Sequence, residues 1–590
     1  MHPLHRLVFP GVGQRDDDLY LLATGGATVR AAGGVITLAP GQGLTADTYF
    51  GVLPLQQWTR SAAIQSWFIA LTGQGRAQLR LKTLEADRDA DTTLFEAEID
   101  LADGVREITS AFQHATAEGI YLELVALSPV QLGSAAFLTA DTPRRRVDLG
   151  LVVTTFGRPV AIAETMEKLG RFIAADPESA LGSFALAVID NGRELGNAQV
   201  PGVTVIPNQN LGGAGGFARG LSHFLDGGTA THACFMDDDA ATEDECLLRT
   251  RRLLAFAIDE RTAVSAAMLR AEVSFMMHEQ GALFEWGANH RIISRKNGLD
   301  VRRREHLHRV LQPEPFGYGG WWFFAFPIRG ALTFPYPMFV RGDDWLFSYL
   351  NDFAIQTMVG IASWQEGFEG KISPNEQYLA TKAFLVAEII IRKPPNRLQT
   401  AQFFARWVAR NIFGYCYDRA ELNLQAISDV LKGPQFWDDN AALGKRLGQL
   451  RLLVTAEKLE PLGPGDGGEL VRASRPERRS KALLRVLTLN GHLLPSFIGS
   501  AETALTLPRI DAPQPRFTFG RPVVRYVDEH QRKVFVAAKD TARALSLLGR
   551  LAILLVRLVV GYNRLRRDYL TSIDRFGTQG WWKETFNRPE

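Results

Sequence analysis

Phe235-Met236-Asp237-Asp238-Asp239-Ala240 closes a short apolar run, Ala233, Cys234 and Phe235, and opens onto Glu243, Asp244 and Glu245. Apolar residues ending in acids, with a helix start behind them, read as a buried strand that delivers carboxylates to its C-terminal edge. Open α/β sheets bind their ligands at that edge. Three adjacent carboxylates repel one another, and a hard divalent ion, Mn²⁺ or Mg²⁺, shared with a diphosphate would balance the charge. A solvated acidic turn favoured by the following helix dipole is the other reading.

Working outward, the strand sits in a βαβ pattern. Leu149 to Thr155 form a β-branched apolar run of the kind buried in a parallel sheet, and Ala161 to Ala174 follow with helical periodicity. A second strand, Phe184 to Ile189, ends at Asp190-Asn191-Gly192, and a third, Val203 to Ile206, ends at Pro207-Asn208-Gln209-Asn210. Each strand thus finishes in polar residues on one edge, the arrangement of a nucleotide site in a doubly wound sheet. The run Asn210-Leu211-Gly212-Gly213-Ala214-Gly215-Gly216-Phe217-Ala218-Arg219-Gly220 enters the next helix. Glycine there lets backbone N–H groups approach a phosphate; a flexible turn and a dinucleotide loop are the alternatives, though the latter belongs after a first strand.

Downstream, Asp343 and Asp344 are adjacent acids ahead of Trp345-Leu346-Phe347. Mutual repulsion can raise one of their pKa values into the range of a general base, while an Asp at this position also suits a helix N-cap. Trp321 and Trp322 precede Phe323-Phe324-Ala325-Phe326; one indole suits the core and the other a sugar platform. His278-Glu279-Gln280-Gly281 offers Glu279 as an acceptor-site candidate or a plain polar turn.

The chain has 590 residues, 46% hydrophobic and 22% charged, which predicts two to four domains. A net charge of +2 gives no whole-protein case for nucleic-acid binding. The three cysteines exclude a disulfide framework and suit a reducing cytosol. Met1 to Pro10 lack the pattern of a signal peptide, and no segment reads as twenty uncharged apolar residues. Residues 1–145 alternate as short strands broken by Gly, Pro and Asp, predicting an N-terminal β-sandwich. Residues 146–390 carry the α/β pattern, and 391–590 read as helical. Near the C-terminus Arg543, Arg550, Arg557 and Arg564 recur every seven residues among leucines, a basic stripe beside a wide apolar face. Such a helix can lie on an anionic membrane surface, or pack on the protein or on an identical subunit in a homo-oligomer.

Thr154-Thr155-Phe156-Gly157-Arg158-Pro159, Asp190-Asn191, the glycine-rich run and the Asp237 triplet come in the order and spacing of an inverting GT-A glycosyltransferase of family 2. More narrowly the chain resembles the polymerising galactofuranosyltransferases of mycobacterial galactan, through Tyr318-Gly319-Gly320-Trp321-Trp322-Phe323 and Arg341-Gly342-Asp343-Asp344-Trp345. The likeness runs to about residue 385. It implies a Rossmann-like GT-A centre in which Phe156 and Arg158 hold uracil, with Thr155, Gly213 and Asp238 alongside and Asp190 and Asn210 at the nucleoside. It also implies that Asp237 and Asp239 flank the metal, that Trp322, with Trp321 beside it, lines the sugar pocket, that Asp344 is the base, and that Asp343 binds acceptor hydroxyls. Its implied partners are a UDP-sugar donor and a lipid-linked glycan acceptor, its implied place the inner face of the cell membrane. Two departures stand out. Trp364-Gln365 replaces a Trp-His pair whose His is a metal ligand, leaving Gln365 or His290 to substitute, and Tyr378-Leu379-Ala380-Thr381-Lys382 replaces an Arg-Asn ending. A different donor such as dTDP-rhamnose, or a retired glycan-binding scaffold, remains an alternative.

Overall fold

The computed structural model describes all residues except 12–15, 114, 197–199, 286–290, 329–331, 368–373, 464–476, 478, 496–504, 510–512, 529–531 and 589–590. His290, considered above as a metal ligand, lies outside the described residues.

The protein is a mixed α/β fold around a seven-stranded sheet. In spatial order its strands are Val203–Pro207, Phe184–Asp190, Leu149–Thr155, His232–Asp237, Phe324–Pro327, Thr262–Ser265 and Ala354–Gln356. The first four run parallel, as their unbroken apolar sequences require of strands covered on both faces. Phe324–Pro327 runs antiparallel between His232–Asp237 and Thr262–Ser265. Sequence order reverses direction between Leu149–Thr155 and His232–Asp237, which makes the crevice beyond their C-terminal ends the switch point. Register puts the polar endings side by side: Thr155 opposite Asp190, Asp190 opposite Pro207, and Thr154 opposite Asp237. A smaller four-stranded sheet, Ala241–Thr242, Ala362–Gln365, Ala267–Arg270 and Met277–Glu279, follows directly from the acidic triplet.

Between residues 2 and 139 the chain forms two antiparallel five-stranded sheets. Leu79 and Leu122 of one and Leu71 and Phe137 of the other belong to the same buried cluster as Leu151 and Met236 of the central sheet, so the two regions share a core. Helix Asp244–Phe256 lies at this junction with three fully buried arginines. Arg249 donates to the carbonyls of Arg6 (2.6 Å), Phe50 (2.9 Å) and Gly360 (3.0 Å), while Arg252 bridges Glu178 and Glu245, each at 2.5 Å. Buried charge is tolerated here because every guanidinium meets a carboxylate or carbonyl.

The C-terminal region is not wholly helical. Val523–Asp528 and Lys533–Ala538 form a hairpin inside a four-stranded sheet completed by Leu505–Pro508 and Glu460–Pro461. The 36-residue helix Thr541–Phe576 starts at Asp540, whose side chain accepts from the Arg543 amide. Its inward residues, Leu547, Leu551, Leu554, Leu558, Tyr562, Leu565 and Tyr569, alternate by three and four and pack on the helices Pro374–Ile390, Arg397–Phe413 and Tyr417–Val430. By length and composition this helix is apolar enough to cross a membrane, although Arg550 and Arg557 interrupt its apolar run. The arginine stripe also divides, since Arg543 and Arg550 pair with Asp418 and Glu421 of the neighbouring helix, each at 2.5 Å. Arg564 stays exposed, as do Ile553, Val556 and Val560. The last helix, Gln579–Phe586, returns to the central layer. Trp582 donates to the Pro335 carbonyl (2.9 Å), and Gln209 donates to the Thr585 carbonyl (2.7 Å).

Candidate active site

The site is built where the switch point meets the small sheet. Asp237 ends its strand, and Asp238 and Asp239 turn away from the sheet plane. Thr155 Oγ1 donates to Asp238 Oδ2 (2.8 Å), and the Arg158 guanidinium lies 3.1 Å from Asp238 and 2.9 Å from Asp239. Gln365, at the end of Ala362–Gln365, brings its Nε2 to Asp237 Oδ2 (2.8 Å) and Asp239 Oδ1 (2.5 Å). Burial first, then the neighbouring Asp239 carboxylate, push the Asp237 carboxyl up to about 7. These are acids held against their repulsion by one amide and one guanidinium, and a cation would take over that work.

The residues fit a hard cation in one telling respect. Gln365 is 3% exposed and its Oε1 has no partner. Half a turn of the amide would exchange the Nε2 contacts for an oxygen aimed between Asp237 and Asp239, the donor set of a hard ion. Among the described residues no group of three His, Cys, Asp or Glu side chains is placed to hold a metal ion.

Asp343 and Asp344 open the helix Asp343–Leu350, but neither caps it, because the cap is Gly342 at φ 80°. Phe339 (φ 65°) and Arg341 (φ 67°) also occupy the left-handed region, a conformational cost borne just before the acid pair. Lys382 holds this loop from below, donating to the carbonyls of Met338 and Val340. Burial pushes Asp343 up to about 6, opposed by Lys382, whose own ammonium burial lowers to about 7. Asp344 is pushed well above the usual carboxylate range by burial and then by Asp343; Glu279 adds to this, and Asp343 likewise raises Asp237. Glu279, itself raised by burial, accepts from Ser294 Oγ (2.6 Å) and lies 3.4 Å from the Tyr318 hydroxyl. Asp237 and Asp239, Asp343, Asp344 and Glu279 therefore form one file of mutually sensed carboxylates.

Several expected placements change. The glycine-rich run packs before it binds: a Cβ on Gly220 would lie 2.2 Å from Val152 Cγ1 and one on Gly216 2.9 Å from Thr154, so these glycines seat helix Gly212–Gly227 on strand Leu149–Thr155. Gly212, at φ +68°, backs onto the Phe339 carbonyl, which accepts the Ala214 amide (3.0 Å). Gly213, expected beside the nucleotide, borders Asp343 Oδ2. Asp190, expected at the nucleoside, is buried with its oxygens on the amides of Gly192 (3.1 Å) and Leu195 (2.7 Å), where it shapes its own loop. Asn210 accepts the Gly212 amide (3.1 Å). Phe156 is 58% exposed at the strand end, an open ring face. Trp321 is core, enclosed edge-on by Phe217, Phe235 and Phe347, which corrects its sugar-facing assignment. Trp322 is nearly as covered and spends its Nε1 on the Ala266 carbonyl (3.0 Å). The half-buried indole beside the acids is Trp345, set against Phe284, Tyr318 and Phe384. Sequence reading quoted Trp345 and Lys382 within motifs and gave neither a role.

Two curated proteins show what such a chain is similar to. Galactofuranosyltransferase GlfT2 of Mycolicibacterium smegmatis is 23% identical over 433 residues, 68% of this chain and 66% of that protein. Its namesake from Mycobacterium tuberculosis is 24% identical over 355 residues, 55% of this chain and 54% of that one. The chain is similar to galactofuranosyltransferases. It spans a little under two thirds of the first relative and about half of the second. No protein-family model matches it. Among solved structures, GalNAc-T7 with UDP, GalNAc and Mn²⁺ overlaps 46% of this chain and 52% of its own at 10% identity and TM-score 0.31. S. aureus TarS 1-349 with UDP-GlcNAc overlaps 53% of this chain and 94% of its own at 14% identity and TM-score 0.28. Scores this low carry no weight for activity.

Proposed function

We propose that the chain is a GT-A, inverting, metal-dependent glycosyltransferase that moves galactofuranose from UDP-galactofuranose to a lipid-linked glycan, in cell-wall or surface polysaccharide synthesis at the inner membrane face. The observation that carries this reading is the Asp237–Asp239 triplet at the C-terminal edge of the sheet, held by Thr155, Arg158 and Gln365, with Asp343 bordering the glycine-rich turn at Gly213. The sequence similarity to galactofuranosyltransferases supports the choice of sugar.

In this mechanism the exposed ring of Phe156 stacks on uracil at the strand end, and the Thr155–Asp238 bond fixes the loop beneath it. Asp237, Asp239 and a turned Gln365 would hold Mn²⁺ or Mg²⁺, which when bound neutralises charge on the leaving diphosphate. Arg158, already on Asp238 and Asp239, then follows the phosphates. At the other end Asp344 accepts the proton of the attacking acceptor hydroxyl at a carboxylate oxygen; its raised pKa makes it a stronger base once ionised. Attack from the side opposite the nucleotide gives inversion. Asp343 and Glu279 orient acceptor hydroxyls, and Trp345 presents its indole to the sugar ring.

The test is transfer from UDP-galactofuranose and, in parallel, from dTDP-rhamnose to a galactofuranosyl acceptor, with Mn²⁺ and with chelator. Asp344→Asn should cut turnover about 10²- to 10⁴-fold with UDP binding unchanged. No turnover with either donor, or an Asp344→Asn enzyme as fast as wild type, refutes the assignment.

A further inference from the structure

Behind Glu279 the next side chain points to different chemistry. Gln280 is 4% exposed, and neither its Nε2 nor its Oε1 meets a partner. A buried primary amide with both ends unmade loses its hydration with nothing in return, so a chain does not keep one for packing alone. Gln280 lines a cleft of about 280 Å³ between helix Leu55–Ser61 of the N-terminal region and the loop around Phe316. Gln57, Ser61 and Gln356 line the same cleft. Ser61 Oγ donates to Gln356 Oε1 (3.2 Å).

Charge does not dominate this cleft. Lys296 is buried in its wall, but its ammonium is paired with Glu314 (3.0 Å) and donates to the Gln312 carbonyl (3.1 Å). Arg60 at the rim is paired with Glu118 (3.0 Å). Both cations are therefore satisfied within the protein. Gln57 is also spent, its Oε1 accepting the Val359 amide (2.9 Å) and its Nε2 donating to the Leu311 carbonyl (3.4 Å), so the unspent capacity lies in the Gln280 amide, which offers a donor and an acceptor side by side. That pattern matches adjacent hydroxyls on a ring, and Phe316 supplies an apolar wall for the ring's C–H face. The volume lies just below the range of about 300 Å³ upward typical of small-molecule sites, enough for one sugar unit and too small for a sugar nucleotide.

We propose that this cleft is a second glycan subsite, binding one neutral sugar residue through Gln280 after its side-chain amide turns toward the opening. Gln280 directly follows strand Met277–Glu279 in the chain. Only the sugar used as probe rests on the transferase reading. The class of ligand rests on the Gln280 amide.

The test is an NMR titration of the full chain with methyl galactofuranoside and, separately, with inorganic phosphate. Wild type, Gln280→Leu and Ser61→Phe are compared; the last fills the cleft from the opposite wall. We expect sugar binding at two sites in wild type and loss of one in both variants, that site weakening about tenfold or more. Gln280→Leu should melt no lower than wild type, since it removes two unpaired polar atoms, and UDP should bind all three proteins equally. Superimposable sugar titrations for the three proteins overturn the subsite, and so does phosphate binding at the cleft in place of sugar. Absent transfer activity with the Gln280-dependent site intact would sink the enzymatic reading and leave this one standing.

Discussion

Raising the pH should weaken the metal-free protein, and a divalent cation should reverse the loss. In the unfolded chain Asp237 ionises near its ordinary 3.8; in the folded protein burial and Asp239 hold it at about 7. Between those values the native state keeps a proton that the unfolded chain has given up. Its stability is thus full below the lower value, declines as pH rises, and has lost the whole contribution above the upper one. Roughly three pKa units at about 1.4 kcal/mol each set a ceiling of about 4 kcal/mol. Asp237 as a residue keeps part of its surface in contact with water, and screening there brings the expectation to about 2 kcal/mol. For a cooperative unit of roughly 250 residues that is about 4 °C in Tm. The assay is thermal unfolding in chelator and in Mn²⁺ at pH 5, 6.5 and 8, for wild type and Asp237→Asn. Wild type in chelator should fall more steeply with pH than the variant, and Mn²⁺ should restore it at pH 8 with little effect at pH 5. Parallel pH slopes for the two proteins, or a Mn²⁺ effect independent of pH, would refute the reasoning.

Other changes reach the scaffold. Gly220→Ala sets a methyl 2.2 Å from Val152 Cγ1 and should cost about 1–3 kcal/mol in a urea titration, whereas Gly549→Ala, with nothing within 4 Å, should gain up to about 1 kcal/mol. Arg252→Met removes the cation shared by buried Glu178 and Glu245, leaving Arg6 and Arg249 as their closest remaining cations, and should cost about 3 kcal/mol, with melting partly recovered when both acids become Gln. Val556→Asp combined with Val560→Asp, both on the exposed side of the long helix, should reduce co-sedimentation with anionic vesicles at unchanged Tm. Undiminished sedimentation would take the membrane role away from that face.

What could be read in advance was whatever repeats along the chain. Unbroken apolar runs in Leu149–Thr155, Phe184–Asp190 and His232–Asp237 announce buried parallel strands, and their polar endings fall in register as expected. Gln365 meets Asp237 and Asp239 through its Nε2, a contact between residues far apart in the chain. Glycines were harder: a residue without a side chain has two uses, and spacing alone does not say whether Gly216 and Gly220 face a phosphate or Val152 and Thr154. Trp321 and Trp345 look alike in one dimension, and only the three-dimensional neighbours separate core from cleft. The three arginines of Asp244–Phe256 lie in a helix that hydropathy would place at the surface, and their partners Glu178, Phe50 and Gly360 come from remote parts of the chain. The hairpin Val523–Asp528 and Lys533–Ala538 was legible from its β-branched alternation and was masked by helical sequence on both sides.

The return of Gln579–Phe586 to the central layer governs the order in which this protein can be made. Helix Gly212–Gly227 is synthesised early, yet the backbone carbonyl that accepts from Gln209 belongs to Thr585, 376 residues later. A ribosome therefore exposes an unfinished face of the central sheet layer for as long as it takes to translate everything between, a window in which a holding chaperone has something to grip.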